Sequence, residues 1–173
     1  SMAPGGYAWM FPKSSGANIG LGIQRRFAKG RNLNQYAEAF ISKYDGEISF
    51  SGAGSLPMSG SIRTFVRGNY LLVGDAAGMV LPSNGAGITI AMIGGRIAGQ
   101  VIAEHLTEGT PLKEYEHRWD KQMGRVMRNS KRAFRFGNLM FRLPNWILNM
   151  AFNPLTRGII WRAVTCRRMF WLL

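Results

Sequence analysis

Residues 74–88 read GDAAGMVLPSNGAGI and follow a short apolar run, YLLV at 70–73. That run reads as a short buried strand, so it delivers Asp75 at a strand's carboxyl end, where open α/β sheets bind their ligands. The residues after Asp75 are small, which lets a bulky ligand lie directly on backbone. Pro82 fixes a loop, and Gly85, Ala86 and Gly87 open a helix predicted over 87–106. The first turn of a helix carries unpaired N–H groups and roughly half a positive charge, so an anionic group is favoured beside it. On physics alone, 74–88 is either a ligand cradle at a strand–loop–helix junction or a tight glycine-rich packing turn. As a cradle, its binding residues are Gly74, Asp75, Pro82, Gly85, Ala86, Gly87 and Ile88.

Downstream, the helix carries Ala91, Gly95, Gly99 and Ala103 in a row. A helical glycine costs about 1 kcal/mol against alanine, so that row is expected to pack closely against a sheet. Thr110 as N-cap and Pro111 at the first helical position start a further helix. Its apolar stripe runs Tyr115, Trp119, Met123, Met127 and Phe134, opposite Lys121, Arg125, Arg128, Lys131 and Arg135. Pro144 and Pro154 divide the remainder into short helices.

Upstream, YAWMF at 7–11 reads as a strand whose two-residue period puts Tyr7, Trp9 and Phe11 on one face. PKSSG at 12–16 is a turn, and ANIGLGI at 17–23 is the return strand. Asn18, Gly20 and Gly22 share a face there, and glycine in a strand marks a close approach to the backbone. A helix over 33–44 follows, with short strands over 47–50 and 61–66 expected in the same sheet. The expected class is α+β, a fragment of an α/β type. It combines an antiparallel sheet, one Rossmann-type strand bearing the Gly-Asp pair, and long helices. Its parts are a sheet region over 3–68, the strand–loop–helix over 69–108 and a basic helical region over 109–173.

The 173 residues are 46% hydrophobic and 18% charged, which excludes a chain disordered throughout and suits one domain. One cysteine, Cys166, excludes an internal disulfide framework and multi-cysteine zinc patterns, and with two histidines no metal site is expected. No secretory signal is visible, and the longest uncharged stretch, 76–95, holds five glycines, so no segment is expected to cross a bilayer. Lys plus Arg number 22 against 9 Asp plus Glu, a net charge of +13. The excess is concentrated: from His117 onward there are 12 basic residues and one acid, Asp120. Bases interleaved with large apolar residues suit an anionic membrane surface. A solvated basic helix face is the plainer alternative. No nucleic-acid motif accompanies the charge, and a nucleic-acid partner is not expected.

Gly74-Asp75-Ala76-Ala77-Gly78, then Pro82, then Gly85-x-Gly87-Ile88, resembles the second flavin motif of flavoproteins of the p-hydroxybenzoate hydroxylase type. Pro4-Gly5-Gly6-Tyr7-Ala8-Trp9-Met10-Phe11-Pro12 resembles the PxxYxWxFP motif of the geranylgeranyl reductase family. Lys13 and Asn18-Ile19-Gly20-Leu21-Gly22 extend the likeness, and MVLPSNGAGI is similar to the archaeal branch that saturates digeranylgeranylglycerophospholipids. The resemblance implies FAD as cofactor, reduction of isolated prenyl double bonds, and Tyr7 and Trp9, with Phe11 beside them, lining the channel for the prenylated lipid. It also implies a cytoplasmic protein, peripheral at the inner face of the membrane, drawing on an electron donor that the sequence does not name. The family's GxGxxG fingerprint and its upstream cysteine are not present, so the chain reads as the C-terminal portion, whose partner is an N-terminal FAD-binding half. Alone, it is expected to be inactive. Two other readings share some of these features: a non-catalytic module binding prenyl lipid or a membrane surface, and a portion of a flavin-dependent aromatic hydroxylase.

Overall fold

A computed structural model describes residues 2–144 and Gly158; the helices expected beyond Pro144, and Cys166, lie outside the described residues. The chain divides into two compact units, Ser1–Ala53 and Gly54–Leu173, so residues 54–68 group with the second. The architecture is α+β.

In the first unit, β1 (Tyr7–Lys13) and β2 (Gly16–Gly22) form an antiparallel hairpin with Tyr7 opposite Gly22, Trp9 opposite Gly20 and Phe11 opposite Asn18. Pairing runs through Pro12 and Lys13, which leaves Ser14 and Ser15 as a tight turn in place of the broader one expected. Helix α1 (Leu33–Ile41) begins with a capping box: Asn32 Oδ1 accepts from the Gln35 N–H at 3.0 Å and Gln35 Oε1 accepts from the Asn32 N–H at 3.0 Å. It ends three residues short of the predicted Tyr44. Tyr36 and Phe40 of α1 pack with Leu21, Ala28 and Ala3, and Ala8, Ile19, Ile23 and Leu33 adjoin them. The opposite face of the hairpin therefore holds Tyr7, Trp9 and Phe11 away from this core.

The strand expected over 47–50 does not form, and Phe50 is 86% exposed. That over 61–66 shrinks to β3 (Val66–Arg67), which pairs antiparallel with β4 (Tyr70–Leu71) and not with the first hairpin. A strand persists only where a neighbour takes its backbone hydrogen bonds, and among the described residues none pairs with 47–50 or with the free edge of β4. The predicted buried strand YLLV is correspondingly short, with Tyr70, Leu72 and Val73 exposed.

Helix α2 (Ile88–Glu108) follows the 74–88 loop. It buries Ile90, Gly94, Ile97, Ala98 and Val101. Of the small-residue row expected to pack, only Ala91 is partly buried: a Cβ on Gly95 or Gly99 would meet nothing, and Ala103 is exposed. Gly94, one residue round the helix, is the packed one, because a Cβ there would press on Met79 Sδ and come within 3.4 Å of Trp119. Apolar residues on both sides of that row made its orientation ambiguous in the sequence.

After Thr110 the chain makes 3-10-type turns, with Glu114 N–H donating to Pro111 O at 2.9 Å, before α3 (Glu114–Trp119) begins. The expected Thr110 cap is therefore replaced by an uncapped start at Lys113. A π segment, Asp120–Gly124, joins α3 to α4 (Arg125–Met140) in one continuous helix. Tyr115, Trp119, Met123 and Met127 face the core with Phe65, Met79, Ile97 and Val101, as their spacing predicts. Arg118 ties α3 to α2, donating to both Glu104 oxygens at 2.8 and 2.7 Å and to Glu114 at 3.1 Å. Its hydrogen bonds hold the Glu104 carboxyl below the usual range.

Candidate functional site

Residues Gly74–Ala77 form a 3-10 turn entered from extended Val73, and Gly78 closes it in the left-handed region at φ 65°. Gly78 is required twice over: L side chains disfavour that φ, and a Cβ would sit 2.6 Å from the Gly60 carbonyl oxygen. Met79, Val80, Leu81 and Pro82 are then buried, and the chain re-emerges at Ser83.

The re-emerging loop is pinned from three sides. Leu81 N–H donates to Ala86 O at 2.9 Å and Gly85 N–H to Leu81 O at 2.8 Å. Asn84 Oδ1 accepts from the Ala86 N–H at 3.0 Å. Ser130 of α4, fully buried, accepts from the Ser83 N–H and donates to the Ser83 hydroxyl, both at 3.0 Å. Sequence reasoning gave Ser130 no role. The signal was a lone hydroxyl in the buried row Met127, Ser130, Ala133. Glu116 was missed as well: its carboxylate accepts from the N–H groups of Phe65 at 2.6 Å and Val66 at 3.0 Å, fixing the start of β3.

Tyr115 supports the turn from below. Its hydroxyl donates to Leu72 O at 3.1 Å and lies 3.8 Å from Met79 Sδ. Burial pushes the phenol up to about 12. An unfolded tyrosine titrates near 10, so the stabilisation held by the neutral phenol is whole below about pH 10 and is lost as pH rises to about 12. Tyr115→Phe is expected to lower stability by about 1 kcal/mol at neutral pH. In thermal melts the gap between wild type and variant should narrow across that alkaline window; parallel curves would contradict the assignment.

Asp75 is exposed, and no hydrogen bond to its carboxylate is made among the described residues. Its Oδ1 lies 3.8 Å from where a Cβ on Gly87 would stand, and that Cβ would also meet Val80 at 3.3 Å. Gly87 is the N-cap of α2, with no side-chain cap and no acid in the first turn. The Asp75 carboxylate thus lies beside the uncapped start of α2, at Gly87. Gly74 and Gly85 are left-handed at φ 62° and 76°. Ala86 and Ile88 are exposed, whereas Pro82 is buried.

Tyr7, Trp9 and Phe11 form a group of their own in the first unit. The Tyr7 and Trp9 ring centroids are 5.8 Å apart, Trp9 Nε1 donates to Asn18 Oδ1 at 2.7 Å, and Tyr7 and Phe11 are 55% and 60% exposed. Gly20 is explained by this face, since a Cβ there would occupy the place of the Trp9 indole.

Residues 1–53, the first unit, match the family model for the geranylgeranyl reductase catalytic domain. A digeranylgeranylglycerophospholipid reductase of Methanothermobacter thermautotrophicus is 40% identical over 144 residues, 80% of this chain and 36% of that protein. One from Methanocella arvoryzae is 32% identical over 171 residues, 96% of this chain and 43% of that protein. The chain belongs to the geranylgeranyl reductase family. Within that family, a crystal structure of a geranylgeranyl bacteriochlorophyll reductase-like protein from Thermoplasma acidophilum superposes with a TM-score of 0.70 at 26% identity, covering 91% of this chain and 41% of that one. This reductase-family chain therefore spans about two fifths of the length of the relatives it matches.

Proposed function

We propose that this chain is the portion of an FAD-dependent oxidoreductase that faces the isoalloxazine ring and the lipid, and that the whole enzyme reduces isolated C=C bonds of geranylgeranyl chains in archaeal-type membrane lipids. The observation that carries the reading is the exposed Asp75 carboxylate lying beside the uncapped start of α2, at Gly87. An acceptor without a partner among the described residues, beside the first turn of a helix, suits a group with hydroxyls at one end and an electron-rich ring at the other, as in a flavin.

A reduced flavin held there would supply a hydride to one alkene carbon, and a proton on the other would complete the saturation. The chain does the rest by position and field. Asp75 accepts hydrogen bonds from ribityl hydroxyls. The N–H groups at the start of α2 favour negative charge on the pyrimidine side of the ring. Tyr7, Trp9 and Phe11 take up the prenyl chain by apolar contact, and aromatic faces favour positive charge developing on a tertiary carbon. The adenosine half of FAD is assigned to a partner half carrying GxGxxG, so the chain alone binds FAD weakly and does not turn over. A substrate embedded in a membrane calls for a protein that works at the membrane surface, and we assign it the cytoplasmic face as a peripheral protein; among the described residues no helix is long and apolar enough to cross a bilayer.

Joined to such a half, the chain is expected to give a yellow protein. Once chemically reduced without oxygen, its absorbance should return when a geranylgeranylated phospholipid is added. Trp9→Ala is expected to keep the flavin and slow this lipid-dependent return by about 10- to 100-fold, the weight of one buried aromatic. No return with lipid, or an equal rate in the variant, would contradict the proposal.

A further inference from the structure

The outward face of α4 is committed by what the helix buries. Met127, Ser130 and Ala133 point inward, so Lys121, Arg125, Lys131 and Arg135 are held in solvent on the other side. Arg128 shares that face but is paired with Asp120 at 2.9 Å, and Asp120 is the only carboxylate from His117 to the end of the chain. Four cations with no acidic partner among the described residues thus stand along about two turns either side of Arg128. Where this face ends, the exposed residues become apolar: Leu139, one turn beyond Arg135, is 59% exposed and Phe136 is 44% exposed.

We propose that this face of α4 is a docking surface for an anionic lipid bilayer. Lys121, Arg125, Lys131 and Arg135 meet the headgroups, and Phe136 and Leu139 enter the interface at the helix end. The charge selects an anionic surface. The apolar end selects a bilayer over a nucleic acid, whose phosphates offer nothing to a leucine. The helix lies on the membrane and does not span it. The inference stands on one helix face and not on flavin chemistry, so it can fail or hold independently of the reductase reading.

The test is co-sedimentation of the full chain, without flavin, with vesicles of phosphatidylcholine alone or mixed with phosphatidylglycerol. Binding is expected only to the anionic vesicles, weakening more than tenfold as salt rises from about 0.05 to 0.5 M. Each basic residue near an anionic surface contributes about fivefold, so the triple variant Lys121→Gln, Arg125→Gln, Arg135→Gln should bind on the order of 100-fold more weakly. These side chains lie outside the core, so an unchanged thermal midpoint identifies the loss as one of docking. Leu139→Ser, which keeps every charge, should weaken binding several-fold and leave the salt dependence intact. Equal binding to neutral vesicles, unchanged binding by the triple variant, or tighter retention on duplex DNA than on anionic vesicles would overturn the proposal.

Discussion

Trp119→Ala is expected to destabilise the second unit by about 3–5 kcal/mol, the range for deleting a buried indole. Trp119 is 3% exposed and sits where three parts of the unit meet. Its ring stands edge-on to Phe65 at 5.9 Å, Phe65 lies against Tyr115 at 5.7 Å, and Gly94 of α2 lets Met79 and the indole approach the helix. Neighbours in such a cluster are held by one another, and the backbone of α2 cannot close a hole of that size. With roughly 2–4 °C lost per kcal/mol in a chain of this length, the thermal midpoint should fall by roughly 6–20 °C. A shift of only a degree or two would mean that Trp119 does not close this core. Because Met79 shares the same packing, the loop at 74–88 should loosen with it.

The core of the helical unit was legible because the apolar spacing at Tyr115, Trp119, Met123 and Met127 admits one helix face only. The first hairpin was legible for a similar reason: the alternation of Tyr7, Trp9 and Phe11 fixes a face, and the glycines opposite fix what lies on it. Where the pattern was degenerate, the reading erred. Large apolar residues surround α2, so the Ala91–Gly95–Gly99–Ala103 row looked like a packing seam, whereas burial follows Ile90, Gly94, Ile97 and Val101. The stretches 47–50 and 61–66 have strand-like composition, but a strand is defined by its neighbour, which composition does not supply.

The 74–88 segment divides in the same way. Its glycines, Pro82 and Asp75 announce a strained turn before a helix, and the structure places Asp75 against the helix start. The clamps that hold it, Ser130 on Ser83 and Tyr115 on Leu72, come from positions more than forty residues away. Long-range contacts of that kind leave no local periodicity to read.

Asp75→Ala should strip the assembled flavoprotein of most of its hold on FAD. A hydrogen bond to a charged acceptor contributes about 1.5–3 kcal/mol, so losing this carboxylate should weaken FAD binding by roughly 10- to 100-fold. The side chain is exposed and makes no hydrogen bond among the described residues, so the apoprotein should melt as the wild type does. Asp75→Asn, which keeps an acceptor and loses the charge, should fall between. The deciding measurement is an equilibrium titration of the assembled apoprotein with FAD, wild type beside Asp75→Ala. A dissociation constant raised at least about tenfold, at an unchanged melting temperature, is the expected result. Equal affinity in the two proteins would show that FAD is not held at the junction of Asp75 and α2.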